Sequence, residues 1–228
     1  MNNATTARLI ALVVFVCPGA AEAQNILFFG NSYSGFFAGQ RSVPDLVEDL
    51  AAAAGHEGVV AVDATRNGRD FAWHLGFNLG PIDDGIGADE DWDVVVMQNF
   101  STRPTLSHPA GNRPQHRLNA VALYQAVANR SPMVRPVLFQ TWARAEGSPD
   151  LDFFAEGQAQ MLGELRDGYR LAADDIDLAV GAATAEIAAV GEAFARAGYD
   201  DLYESDNTHA NARGRLLTAL VVYSVVFE

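Results

Sequence analysis

Two short polar stretches near opposite ends of the chain carry residue types suited to acyl transfer. Gly30-Asn31-Ser32-Tyr33-Ser34-Gly35 follows the apolar run Ile26-Leu27-Phe28-Phe29, and Asp206-Asn207-Thr208-His209 precedes an apolar helical pattern. A serine hydroxyl is a weak nucleophile until a base stands within hydrogen-bond reach. Histidine is the usual base near neutral pH, and a carboxylate three residues earlier on a turn can fold back and fix its tautomer. Ser32, His209 and Asp206 are thus candidates for nucleophile, base and orienting acid. Each stretch alone has a plainer reading. Turn serines commonly bond their local backbone, and Asp206 or Asn207 suits the cap of the following helix. The conjunction of the two points to hydrolysis.

The elements that must position these residues alternate along the chain. Apolar runs at Asn25–Phe29, Val59–Ala64, Asp93–Gln98, Val134–Gln140 and Ile176–Val180 read as strands. Helical periodicity occupies Val43–Ala54, Gln115–Asn129, Leu151–Ala173, Thr184–Ala197 and Ala210–Phe227, with Ser42 as a cap for the first and Gly198 as a terminator for the fourth. Such alternation predicts an α/β domain with a parallel sheet. Gly80–Asp91 and Thr102–Pro114 read as irregular segments. In open parallel sheets, ligands bind beyond the carboxyl ends of the strands, which is where the Ser32 turn falls. The last helix carries Arg213 and Arg215 and reads as core-facing rather than as a membrane span.

Residues 1–23 read as an export signal: Arg8, the apolar Leu9–Val16 and a small-x-small site at Ala21-Glu22-Ala23. Cleavage there leaves residues 24–228 as one domain, in the periplasm or outside the cell. The only cysteine, Cys17, lies in the signal, so the mature chain needs no disulfide. All fifteen basic residues are arginine, which excludes Schiff-base chemistry at a lysine. A formal charge of -14 argues against nucleic acid or an anionic membrane as partner, and is compatible with a neutral polysaccharide. His56, His74, His108 and His116 show no metal-ligand spacing, and no dinucleotide or phosphate fingerprint is present. No cofactor or metal is expected. Trp142 has two readings, a sugar-stacking wall and a core residue.

Gly30-Asn31-Ser32-Tyr33-Ser34 resembles the first sequence block of the SGNH (GDSL-like) hydrolases, and Asp206-Asn207-Thr208-His209 resembles their last. The resemblance implies a flavodoxin-like α/β/α sandwich of about five parallel strands. It also implies hydrolysis of a carboxylic ester, often an acetyl ester of a carbohydrate, through Ser32, His209 and Asp206. The family's second block supplies a glycine N–H to the oxyanion hole, and Asn67-Gly68-Arg69 offers Gly68. The third block normally reads Gly-x-Asn-Asp. Here the strand runs into Gln98-Asn99-Phe100-Ser101, so Gln98 or Asn99 is the candidate amide donor. That departure motivates a rival expectation, a non-catalytic carbohydrate- or partner-binding domain on the same scaffold.

Overall fold

β-Branched and aromatic runs pair into one five-stranded parallel sheet in a computed structural model that describes residues 24–199 and 201–227. The expected export signal, with Cys17, lies outside these residues. In chain order the strands are β1 (Asn25–Phe29), β2 (Val60–Asp63), β3 (Val94–Met97), β4 (Arg135–Phe139) and β5 (Glu186–Ala188), and their spatial order is β2-β1-β3-β4-β5. The helices are α1 (Val43–Ala54), α2 (Phe71–Phe77), α3 (Gly80–Asp84), α4 (Arg113–Ala128), α5 (Gly157–Val180), α6 (Val190–Arg196) and α7 (Ala212–Phe227).

Side chains alternate across a strand, so each central strand feeds two cores. Ile26, Phe28, Val94, Val96, Val137 and Phe139 point to one face, where α1, α6 and α7 cover them. Leu27, Phe29, Val95, Met97 and Leu138 point to the other, under α2, α4 and α5. Because β1 and β3 are buried on both faces, their sequences are continuous apolar runs. The result is the three-layer α/β/α sandwich expected from the sequence. No described helix is long and apolar enough to cross a membrane.

Several elements differ from expectation. Ile176–Val180 is not a strand but the last turns of α5, which runs on until Gly181 takes a left-handed φ of 80°. Its Ile-Asp-Leu-Ala-Val pattern imitates strand alternation, yet only Ile176 is buried, and Leu178 and Val180 face solvent. The edge strand is instead the three-residue β5, and the helix read from Thr184 begins at Val190. Similarly, Gly80–Asp91 is not wholly irregular, since Gly80–Asp84 forms α3.

The first strand lies between β2 and β3, so chain direction across the sheet reverses between β1 and β3. That is the crevice where doubly wound sheets bind ligands. Phe29 pairs with Met97 at the carboxyl ends. The Gly30–Gly35 turn and Gln98-Asn99 therefore emerge side by side.

Candidate active site

After β1 the chain turns back on itself at once. The N–H groups of Ser34 and Gly35 donate to the Asn31 carbonyl at 3.1 and 2.7 Å. Gly30 leaves room for this packing: a Cβ would stand 2.2 Å from Ser34 Oγ and 2.9 Å from Gln98 Oε1, so both side chains would have to shift. Asn31 fixes the turn from inside. Its Oδ1 accepts from the Tyr33 N–H at 3.2 Å and its Nδ2 donates to the Arg69 carbonyl at 2.9 Å. Ser32 is left at the tip, 8% exposed.

The imidazole of His209 arrives from the other end of the chain. Asp206 Oδ1 accepts the N–H groups of Thr208 and His209, both at 2.9 Å, and its Oδ2 lies 2.6 Å from His209 Nδ1. The other ring nitrogen, Nε2, is 2.9 Å from Ser32 Oγ. Sequence separation between that pair is 177 residues, so only the closed sheet brings them together. Burial pushes the Asp206 carboxyl up, but hydrogen bonds from the His209 N–H, the imidazole and the Thr208 N–H outweigh it. They hold the group below the usual carboxylate range. An ionised Asp206 accepts from Nδ1–H, which leaves the Nε2 lone pair facing the serine hydroxyl.

Aromatic packing fixes the imidazole further. Phe37 stacks on the His209 ring with centroids 3.7 Å apart and planes 16° apart, and Tyr33 meets it edge-on at 5.4 Å. Trp142 is fully buried between Tyr33 and Phe194, and its indole N–H donates to the Thr208 carbonyl at 3.1 Å. It supports the histidine loop from within the core, so the sugar-stacking reading is set aside.

Gly68 takes φ 72°, and its turn closes through Arg69 N–H on the Arg66 carbonyl. That turn lies beside Ser32, tied to it by Asn31 on the Arg69 carbonyl and by Asn67 Nδ2 on the Phe36 carbonyl at 3.3 Å. The backbone N–H groups of Ser32 and Gly68 donate to no described residue. These two N–H groups, on adjoining turns, are the ones that the sequence reading assigns to an oxyanion hole.

The amides expected to complete that hole are used elsewhere. Gln98 Oε1 accepts the Asn31 N–H at 3.0 Å and the Ser34 hydroxyl at 3.1 Å, and its NH₂ donates to the Asn99 carbonyl. A backbone N–H can only donate, so the oxygen must face the turn and the NH₂ must face away. Asn99 Oδ1 accepts the Phe71 and Phe100 N–H groups at 2.9 and 2.8 Å, and its Nδ2 pairs with His116 Nδ1 at 2.9 Å. Burial pushes His116 down to about 3, so it is a neutral acceptor for that NH₂. The amides of Gln98 and Asn99, which the sequence reading offered as oxyanion donors, here hold the serine turn and the start of α2 in place.

Other supports carried no signal in the sequence. His74 Nε2 lies 2.9 Å from the Gly30 carbonyl, which also takes the Arg66 N–H. Arg144, buried, donates to Tyr33 Oη, to Ser101 Oγ at 2.9 Å and to Asp150 at 2.8 Å. Each is an isolated polar residue in sequence, with nothing nearby to mark its partner. Among the described residues no three His, Cys, Asp or Glu side chains are grouped so as to hold a metal.

Comparison with solved structures identifies the fold. A candidate SGNH hydrolase from Slackia heliotrinireducens superposes with a TM-score of 0.66 at 25% identity, covering 89% of this chain and 98% of its own. This is the SGNH-hydrolase fold. An SGNH-like scaffold is shared also with a lipase/acylhydrolase from Enterococcus faecalis (TM-score 0.62, 16% identity, 89% and 95% covered). An acetyl-xylooligosaccharide esterase from Geobacillus gives a TM-score of 0.61 at 12% identity, with 92% and 96% covered. No protein-family model and no curated protein matches the sequence. On the SGNH scaffold, the Ser32 turn follows the first strand and the His209 loop precedes the last helix.

Proposed function

We propose that the protein is an exported serine esterase acting on a short-chain or acetyl ester, with an acylated carbohydrate as the natural substrate class. The observation that carries this reading is the 2.9 Å contact between Ser32 Oγ and His209 Nε2, with Asp206 behind the ring. In the first step Ser32 Oγ attacks the ester carbonyl while its proton passes to His209 Nε2. The N–H groups of Ser32 and Gly68 donate to the carbonyl oxygen and stabilise the negative charge that develops on it. His209 then returns the proton to the leaving alkoxide, and an acyl group remains on Ser32. Water, deprotonated by the same nitrogen, releases the acid and restores the serine.

The carbohydrate part rests on a polar cleft of about 600 Å³ beside the histidine loop. Tyr199, Tyr203, Gln158, Glu204 and Asn207 are among its lining residues, a mixture of rings, amides and carboxylates suited to hydroxyl-rich groups. The expected export signal and the acidic charge agree with a substrate outside the cytoplasm that carries no negative charge. The test is hydrolysis of p-nitrophenyl acetate and of acetylated oligosaccharides by the wild type and Ser32→Ala, with fluorophosphonate labelling of both. Labelling of Ser32 and loss of turnover in the folded variant support the esterase. A wild type that neither labels nor turns over would favour the binding-domain alternative.

A further inference from the structure

Behind the nucleophile turn lies a buried guanidinium that the steps above do not use. Arg215, in the first turn of α7, is 1% exposed. Its Nη2 donates to the Ser32 carbonyl at 2.9 Å, and its Nη1 to the carbonyls of Gly35 at 2.7 Å and Arg41 at 3.1 Å. Its Nε has no hydrogen-bond partner among the described residues. Among the described residues no carboxylate lies within 4 Å of it. Glu204 acts on it only through space and is itself engaged by Gln40. Arg144, the other buried arginine near the site, has Asp150 as a counter-ion.

Stability does not favour this placement. A buried cation without a partner is costly, and the first turn is the positive end of the helix dipole. An uncharged donor could tether the same carbonyls. Burial pushes the Arg215 guanidinium down, yet from so high a starting value it stays charged. The charge stands buried against the Ser32 carbonyl, whereas the Ser32 hydroxyl faces His209. The hole as assigned has two N–H groups, and the amides of Gln98 and Asn99 are committed to the scaffold.

We propose that Arg215 is a positioning residue for acyl transfer. It holds the Ser32–Tyr33 peptide by its carbonyl, and with it the turn that presents the Ser32 hydroxyl and, across the Cα, the Ser32 N–H, and it supplies from behind the positive potential that no side-chain amide provides in front. The inference rests on the esterase reading and deepens it. Positive potential fixed before the reaction favours the anionic tetrahedral state over the neutral ester, so its removal acts on kcat more than on KM.

The experiment compares wild type, Arg215→Gln and Arg215→Lys in p-nitrophenyl acetate hydrolysis and in inhibition by a short alkylboronic acid. Ser32 Oγ adds to boron, no bond to boron breaks, and the serine proton moves to His209, giving an anionic tetrahedral adduct. Arg215→Gln is expected to lower kcat about 100-fold, on the scale of one lost oxyanion donor, with KM within about threefold. Boronate affinity should fall by a similar factor, a change that a merely structural role would not match to kcat. Arg215→Lys, which keeps the charge, should recover at least about tenfold of the loss. A folded Arg215→Gln with wild-type kcat overturns the proposal, as does a Lys variant as impaired as a folded Gln variant. If Arg215→Gln does not fold, the Lys variant decides: kcat within about tenfold of wild type supports the role of the charge, and a larger loss overturns it. A wild type that neither hydrolyses esters nor binds the boronic acid removes the esterase reading and this inference together.

Discussion

Around Ser32 the chain is held by partners from β3, α2 and α7, while around His209 the decisive bonds come from Asp206, three residues earlier. The serine turn donates to Gln98 Oε1 and accepts from His74 and Arg215, all distant in sequence. The histidine loop makes its own geometry through one carboxylate that accepts two backbone N–H groups and the ring. Long-range contacts enter the second region as support, through Trp142 on the Thr208 carbonyl and Ala145 N–H on the Asn207 carbonyl. The serine turn satisfies the Asn31 carbonyl by itself, but its Gly30, Ser32 and Gly35 carbonyls are met by groups from elsewhere in the chain. A base loop needs only the correct tautomer, and an i,i+3 carboxylate supplies that locally.

This contrast can be broken at either side. The largest effect is expected for His209→Ala, which removes the proton acceptor: kcat for p-nitrophenyl acetate should fall by about 10⁴-fold or more with the melting temperature nearly unchanged. Asp206→Asn should cost about 10³-fold in kcat through the wrong tautomer, read in the same assay. On the serine side, Gln98→Ala should act first on stability. It strips the acceptor from the buried Asn31 N–H and the Ser34 hydroxyl, costing about 2–3 kcal/mol. For a domain of this size that is a fall of about 4–12 °C in melting temperature by calorimetry. An equal loss of stability from Asp206→Asn would dissolve the distinction between the two regions.

The smallest expected effect is on pH dependence. The folded Asp206 carboxyl titrates below its unfolded value. Its contribution to stability is therefore present above the ordinary carboxylate range and is lost as pH falls through the folded value. Urea unfolding of wild type and Asp206→Asn should differ at pH 6 and converge on acidification to about pH 2–3. Because Asp206 is partly exposed, the difference should be small. A gap that widens in acid would contradict the local hydrogen-bond account.

Legibility followed the same division. The first four strands, α1 with its Ser42 cap and the Asp206–His209 loop could be read locally, since each depends on neighbours in the chain. The fifth strand could not. Ile176–Val180 has the stronger strand composition, but an uninterrupted 24-residue helix absorbs it, and the three-residue β5 forms only because β4 offers an edge. The seven-residue α2 is too short to show a period, although Asp70 caps it by accepting the Trp73 N–H at 2.9 Å. Gln98 was visible as a polar residue at a strand end, but its amide orientation depends on an N–H from a turn 67 residues away.

By itself, the chain's order of residues determined the alternating α/β architecture, the presence of a serine on a strand-end turn and the histidine with its carboxylate. Periodicity, glycine placement and an i,i+3 pair act over a few residues, so they survive without a fold. Only the tertiary structure decided which polar groups were already spent. Hydrogen-bonding capacity is finite, and the commitments of Gln98, Asn99 and Arg215 were set by backbone groups brought to them from across the sheet.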